Sequence, residues 1–235
     1  MNSNPQDGTS VKKYGLAFHT ATPELGLAIS NFADDSRCQT WNLGRSLATD
    51  LHQHLVEFIG PQTWADLAFI AVAKGPGGFT GTRMGMVTAR TLAQQLDIPV
   101  FAISTLAAVA WAAPPQPPLS KGGLLSAEPP LAKEGLLSIA LQMPAERGQL
   151  FGAVYSVNKD SGLTELFPDT VMTAESWQEK LESWENSYQL IEVGSELGSS
   201  VSSVMELAYL EWKQGSRPDW SGALPFYGQH PVQGK

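Results

Sequence analysis

The sequence is poor in cysteine and in basic residues. Only one cysteine, Cys38, occurs in 235 residues, which excludes a disulfide framework and any zinc site built from cysteines. Lysine and arginine number 15 against 23 aspartates and glutamates, and the formal charge of −8 argues against a surface that grips nucleic-acid phosphates. Hydrophobic residues make up 43% of the chain, which is enough for a core, so a disordered or collagen-like chain is also excluded.

Long hydrophobic runs are missing as well. Residues 1–13 are polar and are expected to form a disordered N-terminus, and the apolar stretch 14–18 that follows is too brief for a signal-peptide core. The longest uncharged run is 98–120. Its apolar part, 98–113, is shorter than the ~20 residues that a bilayer requires. We therefore expect a cytoplasmic protein without membrane contact.

Residues 14–113 predict a first α/β lobe. Short apolar runs indicate strands, and leucines three or four residues apart indicate a helix that ends at Gly60-Pro61. A buried strand, a glycine turn, a helix and another strand then form a βαβ unit, whose two strands should be parallel. The predicted strands are 14–19, 24–30, 38–43, 66–73 and 100–103, and the predicted helices are 43–59, 79–96 (with Thr80 as N-cap) and 104–111.

The remainder predicts a flexible insertion, a second lobe and a C-terminal helix. Residues 114–135 are proline-rich and belong to a duplicated segment, PPLSKGGLLSAE followed by PPLAKEGLLSIA, that is typical of a surface loop. Lobe 2 spans 136–197, and 198–228 should form a helix closed by Gly215 and a tail that packs back on lobe 1. Within lobe 2 the predicted strands are 136–143, 150–157, 163–167 and 189–193, and a capping box at Ser176 starts a helix that reaches about Trp184.

The segment KGPGGFTGTR, residues 74–83, is the strongest local motif. It follows a buried strand and precedes a helix, so its backbone N–H groups should lie at a helix N-terminus, where the dipole favours anions. Its spacing matches neither common nucleotide-binding glycine motif. From these residues alone, the favoured interpretation is a turn that only packs the helix on the sheet. The candidate nucleotide or anion residues are Lys74, Gly75, Gly77, Gly78, Thr80 and Arg83.

The same segment resembles a known family. KGPGGFTGTRMGMVTARTLAQQLDIPVFAISTLAAVA is similar to the GPGSFTGLRIG…AKGLA…PL…VSSL region of the TsaB (YeaZ) family. YGLAFHTATPELGLAIS resembles the N-terminal hairpin of that family. RGQLFGAVY (147–155) and ALPFY (223–227) resemble two of its later motifs. The likeness is clear over about residues 14–113 and weaker beyond.

The resemblance implies a two-lobed actin/Hsp70-like (ASKHA) fold, in which mixed sheets are flanked by helices. It also implies a scaffold role: a TsaB-like protein docks on TsaD, which transfers threonylcarbamoyl to the adenosine beside the anticodon of tRNA. A TsaE-like ATPase is the expected further partner, homodimers form when the protein is alone, and tRNA is contacted only indirectly. No cofactor is expected for this chain itself, and the partner interface is the one place where the hypothesis allows ATP or ADP.

The resemblance further implies that this chain is not the catalytic member. The family's fold usually places an Asp in the first hairpin, where this chain has His19, and a neutral imidazole does not hold magnesium as a carboxylate does. His52 and His54 are two residues apart, so on a helix they point in different directions. We therefore expect no catalytic and no metal-binding residues. The alternative is an actin-like ATP-binding enzyme, a kinase or peptidase relative, that uses the turn at 74–83.

Two helices carry the predicted partner interface. A helix that is apolar on more than one face must be buried on more than one side, and a partner or this chain itself can supply the cover. Methionine suits a partner surface because it repacks easily. On this hypothesis Met86→Asp should disrupt the interface. The predicted interface residues are Leu47, Leu51, Leu55, Met84, Met86 and Val87.

Overall fold

The computed structural model describes residues 13–113, 138–158 and 162–228. The predicted disordered N-terminus (apart from Lys13) and the predicted insertion at 114–135 lie outside the described residues. Within the described part, no helix is both long enough and apolar enough to cross a membrane.

The first sheet has five strands in the order β3-β2-β1-β4-β5. β2 is antiparallel to both β1 and β3, whereas β4 is parallel to both β1 and β5, as the predicted βαβ unit requires. The strands are β1 Tyr14–His19, β2 Glu24–Ser30, β3 Ser36–Asn42, β4 Leu67–Ala73 and β5 Val100–Ile103. The helices are α1 Leu47–Ile59, α2 Phe79–Leu96 and α3 Thr105–Ala112.

The second sheet has four strands in the order β8-β7-β6-β9, with β9 parallel to β6 and the other pairs antiparallel. Its strands are β6 Ser138–Pro144, β7 Gln149–Asn158, β8 Gly162–Thr173 and β9 Tyr188–Glu192, and the remaining helices are α4 Ala174–Glu182 and α5 Val201–Lys213. The predicted α/β class with two mixed sheets and flanking helices is confirmed.

Alternate residues of the strands of the first sheet face two different cores. Leu16 and Phe18 of β1 point toward α1 and α2, where Leu51 is fully buried, since side chains alternate across a strand. Ala17 lies on the other side, in a core that α3, α5 and strands of the second sheet also form. Both faces of the first sheet are therefore covered by this chain.

Two predicted helix starts were wrong. The N-cap of α2 is Gly78 and not Thr80, because Gly78 still has extended backbone angles and Thr80 lies inside the helix. The N-cap of α4 is Thr173, whose hydroxyl accepts a hydrogen bond from the Ser176 N–H at 3.2 Å. This cap lies three residues earlier than predicted, and α4 ends at Glu182, two residues before the predicted Trp184.

Candidate functional site

The glycine turn, residues 74–78, joins β4 to α2 and is fixed by backbone hydrogen bonds to four other parts of the chain. The Lys74 N–H donates to the end of β5, and the Lys74 carbonyl accepts from the Phe226 N–H at 2.7 Å. The Gly75 carbonyl accepts from the Thr105 N–H at 2.8 Å, and the Gly78 N–H donates to the Ala21 carbonyl at 2.7 Å. The turn therefore has a packing role at the junction of β1, β5, α3 and the C-terminal segment.

Two of the turn's glycines are required by local geometry. Gly75 has a φ of +100°, which glycine adopts without strain. A Cβ on Gly77 would collide with the carbonyl of Ala21, so only glycine allows the turn to approach the end of the first hairpin this closely. The packing alternative thus accounts for these glycines without a ligand.

The six predicted anion-site residues do not converge. Gly77 and Gly78 line a cleft of about 430 Å³ at the start of α2, and Thr80 and Arg83 are exposed on the helix surface nearby. Gly75 is buried inside the turn. Lys74 points elsewhere, into a second cavity of about 250 Å³.

The cleft at the start of α2 also contains residues that the sequence did not single out. Thr82 lines it, is 2% exposed, and its hydroxyl has no hydrogen-bond partner within the described ranges. Arg147, from the turn between β6 and β7, and Tyr227, from the C-terminal segment, complete the wall. Arg147 lies in the RGQLFGAVY motif and Tyr227 in the ALPFY motif. The sequence could have indicated these two residues only through those motifs.

The second cavity lies between the two sheets and is lined by groups of both charge signs, Lys74 and Glu211 among them. Behind it, the Tyr155 hydroxyl donates to Oδ1 of Asp169 at 2.7 Å. Burial raises the pKa of both carboxyls, Asp169 and Glu211. The positive charge of Lys74 partly offsets this rise. Burial, with the nearby Asp169 charge, also raises the pKa of the Tyr155 phenol. The Tyr155–Asp169 hydrogen bond therefore links β7 to β8 within the second sheet, and the Tyr155 hydroxyl also lies 3.4 Å from the Ser104 hydroxyl at the end of β5.

His19 is fully buried at the end of β1. Its register partner is Gly26, where a Cβ would collide with the Gly198 carbonyl, so this side of the sheet lies against the turn that precedes α5. Neither imidazole nitrogen has a hydrogen-bond partner among the described residues, and burial lowers the pKa of His19 from 6.5 to about 4. His19 is therefore a neutral core residue without solvent access.

The two histidines of α1 point in different directions, as predicted. His52 is exposed, whereas the half-buried ring of His54 lies 4.6 Å from the Trp41 ring. Across the part of the chain that the structure describes, no three His, Cys, Asp or Glu side chains come together in a group that could hold a metal ion.

Most residues of the predicted partner interface are core residues of this chain. Leu51 is 0% and Met86 1% exposed, and both pack between the helices and the first sheet. Leu47 and Leu55 are buried in the same core, and Met84 is half-buried against it. Of the predicted set, Val87 is the exposed member, at 61%.

The additional apolar side of α2 is covered by this chain itself. The turn Trp220–Gly222 packs on α2, and Trp220 joins the same core while the Arg90 guanidinium lies 5.9 Å from its ring. The sequence left open whether a partner or the chain supplies this cover. The chain supplies most of it.

Comparison with known proteins gives related sequences. A family model described as TsaD, tRNA N6-adenosine threonylcarbamoyltransferase, matches residues 56–126. A protein of Bacillus subtilis (strain 168), named tRNA threonylcarbamoyladenosine biosynthesis protein TsaB, is 35% identical over 116 residues, which are 49% of this chain and 42% of that protein. A protein of the same name from Buchnera aphidicola subsp. Acyrthosiphon pisum (strain APS) is 26% identical over 132 residues, which are 56% and 52% of the two chains. The chain thus spans about half the length of the curated relatives it matches.

The fold is shared with a solved structure over nearly the whole chain. A Pseudomonas aeruginosa protein, described as uncharacterized with similarity to peptidase YEAZ, superposes with a TM-score of 0.68 at 18% identity, covering 92% of this chain and 100% of that one. At this identity the likeness shows the fold alone. The relatives named TsaB and the motifs at 74–83 and 147–155 make this chain similar to proteins of the TsaB (YeaZ) family.

Proposed function

We propose that this chain is a non-catalytic subunit in the synthesis of threonylcarbamoyladenosine in tRNA, and that it works by docking on a TsaD-like transferase. The observation that carries the proposal is the sequence similarity to two proteins named for this biosynthesis. The state of His19 agrees with a non-catalytic role, because a fully buried imidazole cannot contact a substrate.

The proposed docking surface is the outer side of α1 and α2, which we call the α1–α2 surface. Both helices pack their buried sides on the first sheet and contact each other. Val56 on α1 is 64% exposed and Val87 on α2 is 61% exposed, with polar residues such as His52 and Thr91 around them. An apolar centre with a polar rim is the usual composition of an interface between proteins that also exist apart.

The TsaD-like partner follows from what the two proteins have in common. The transferase family model matches residues 56–126, which include the end of α1 and all of β4, α2, β5 and α3. A partner with these elements presents a helix like α2, and two similar surfaces pair readily about an approximate two-fold axis. The same argument predicts a homodimer when the partner is absent. On this proposal a TsaE-like ATPase, tRNA and any ATP or ADP bind to the assembled complex and not to this chain alone.

The test is association between this chain and the TsaD-like protein of the same organism, measured by size-exclusion chromatography with light scattering. We expect a stoichiometric complex that Val87→Asp weakens at least tenfold, because the new carboxylate loses water when the surface is covered. Leu166→Asp is the matched control, since Leu166 is 41% exposed on the second sheet and outside the surface.

Met86→Asp does not serve as this test, because a charge at a position that is 1% exposed would unfold the chain. Circular dichroism of the Val87→Asp chain must show the wild-type fold. A complex that forms equally well with Val87→Asp overturns the placement of the surface, and the absence of any complex with the wild-type chain overturns the proposed function.

A further inference from the structure

The cleft at the start of α2, which we call the α2 cleft, has the features of a small-molecule site. It has a volume of about 430 Å³ and lies between the first turn of α2, the β6–β7 turn and the C-terminal segment. Small-ligand sites in proteins commonly have volumes of roughly 300–1,000 Å³ and occur where separate parts of a fold meet. Its lining includes Gly78, Phe79, Thr82, Arg147 and Tyr227.

The start of α2 provides the first feature. α2 has 18 residues, and its N-cap, Gly78, has no side chain that could accept hydrogen bonds from the first-turn N–H groups. The first turn also contains no acidic residue that would neutralise the helix dipole. An uncapped start of a long helix attracts an anionic oxygen, since its N–H groups and its dipole act in the same direction.

Thr82 provides an independent feature at the same place. It is 2% exposed, lines the cleft, and its Oγ1 has no hydrogen-bond partner in the described part of the chain. Leaving a buried hydroxyl unsatisfied is unfavourable, so such a group commonly marks a place where another polar atom binds.

The side chains around the start of the helix indicate the kind of ligand. Arg147 contributes a positive charge from the second sheet, although Glu146 beside it carries the opposite charge. The rings of Phe79 and Tyr227 lie 5.2 Å apart and form an aromatic wall, and the Arg83 guanidinium lies 5.1 Å from the Phe79 ring. A flat ring stacks well against such a wall.

We infer that the α2 cleft binds a small aromatic molecule with one oxyanion group, a phosphate or a carboxylate. The oxyanion accepts hydrogen bonds from the first-turn N–H groups of α2 and from Thr82, and it pairs with Arg147. The ring of the ligand packs against Phe79 and Tyr227. This inference concerns the chain alone and does not rest on its docking to a transferase.

The test is isothermal titration calorimetry of the full chain with two probes. AMP carries a phosphate and N-acetylphenylalanine carries a carboxylate, so the two probes distinguish the sources of the oxyanion. We expect one of them to bind at a single site. Thr82→Val and Arg147→Gln should each weaken that binding about tenfold, because each removes a partner of a charged group. The matched control is Thr88→Val, since Thr88 is also buried on α2 but does not line the cleft.

Two further probes resolve the parts of the ligand. Inorganic phosphate and adenosine should each bind more weakly than AMP if AMP is the preferred probe, because each lacks one half of the contacts. The inference is overturned if neither aromatic probe binds at millimolar concentration. It is equally overturned if binding is the same in Thr82→Val, Arg147→Gln and the wild-type chain.

Discussion

Burial of His19 predicts a loss of stability in weak acid. Burial lowers the pKa of His19 to about 4, whereas an unfolded chain has the ordinary value of 6.5. Between these two values the unfolded state binds a proton that the folded state does not. The free energy of unfolding therefore falls as the pH falls below 6.5, and this loss levels off near pH 4.

The size of the effect follows from the two pKa values. Each pH unit between them corresponds to about 1.4 kcal/mol, so the full loss is about 3 kcal/mol. Roughly 2 kcal/mol of that loss falls between pH 7 and pH 5. This is a large fraction of the 5–15 kcal/mol that is typical of a folded domain, so urea denaturation detects it easily.

The substitution that isolates the effect is His19→Leu. It removes the titrating group and both unpartnered nitrogens, so the variant should be at least as stable as the wild-type chain at pH 7. From pH 7 to pH 5 it should lose about 2 kcal/mol less than the wild-type chain. His52→Gln is the control, because it removes a histidine that is exposed and lies outside the core. Equal losses in the wild-type chain and His19→Leu would refute the argument.

Two further substitutions test the packing that surrounds the site. Gly81→Ala should lower the free energy of unfolding by about 2 kcal/mol in urea denaturation, because the new Cβ would meet the Thr20 carbonyl. This loss is expected although alanine is the better helix former. An unchanged stability would contradict the close contact. Tyr155→Phe removes the hydroxyl that donates to the Asp169 carboxylate at 2.7 Å. It should lower the free energy of unfolding by about 1–3 kcal/mol, measured as a lower Tm in calorimetry. An unchanged Tm would show that solvent replaces this hydrogen bond.

The strands were predictable wherever an apolar run was complete. β1, β2, β4 and β5 begin and end within one residue of their predicted bounds, because buried strands of this kind tolerate few polar residues. β8 continues to Thr173, beyond the predicted Phe167, because β7 pairs with it to its end and supplies hydrogen-bond partners for its backbone. The polar sequence of this part of β8 does not indicate that pairing. Tertiary pairing decides such cases.

The leucine pattern of α1 identified its apolar side but not what covers that side. Leu51 is apolar for the same reason in either case, whether the first sheet or a partner lies against it. The α2 cleft was out of reach for a related reason. Thr82, Arg147 and Tyr227 lie far apart in the chain, and only the packing of the two sheets and the C-terminal segment brings them together.

The C-terminal segment makes the two proposals separable. Its Trp220 covers one side of α2, and its Phe226 is bound to the Lys74 carbonyl so that Tyr227 forms part of the cleft wall. What remains exposed on α2 is a strip centred on Val87, roughly 12 Å along the helix from the first turn. Val87→Asp should therefore weaken docking at least tenfold and leave binding of the aromatic oxyanion unchanged, and a loss of both would show that the cleft and the α1–α2 surface are one site.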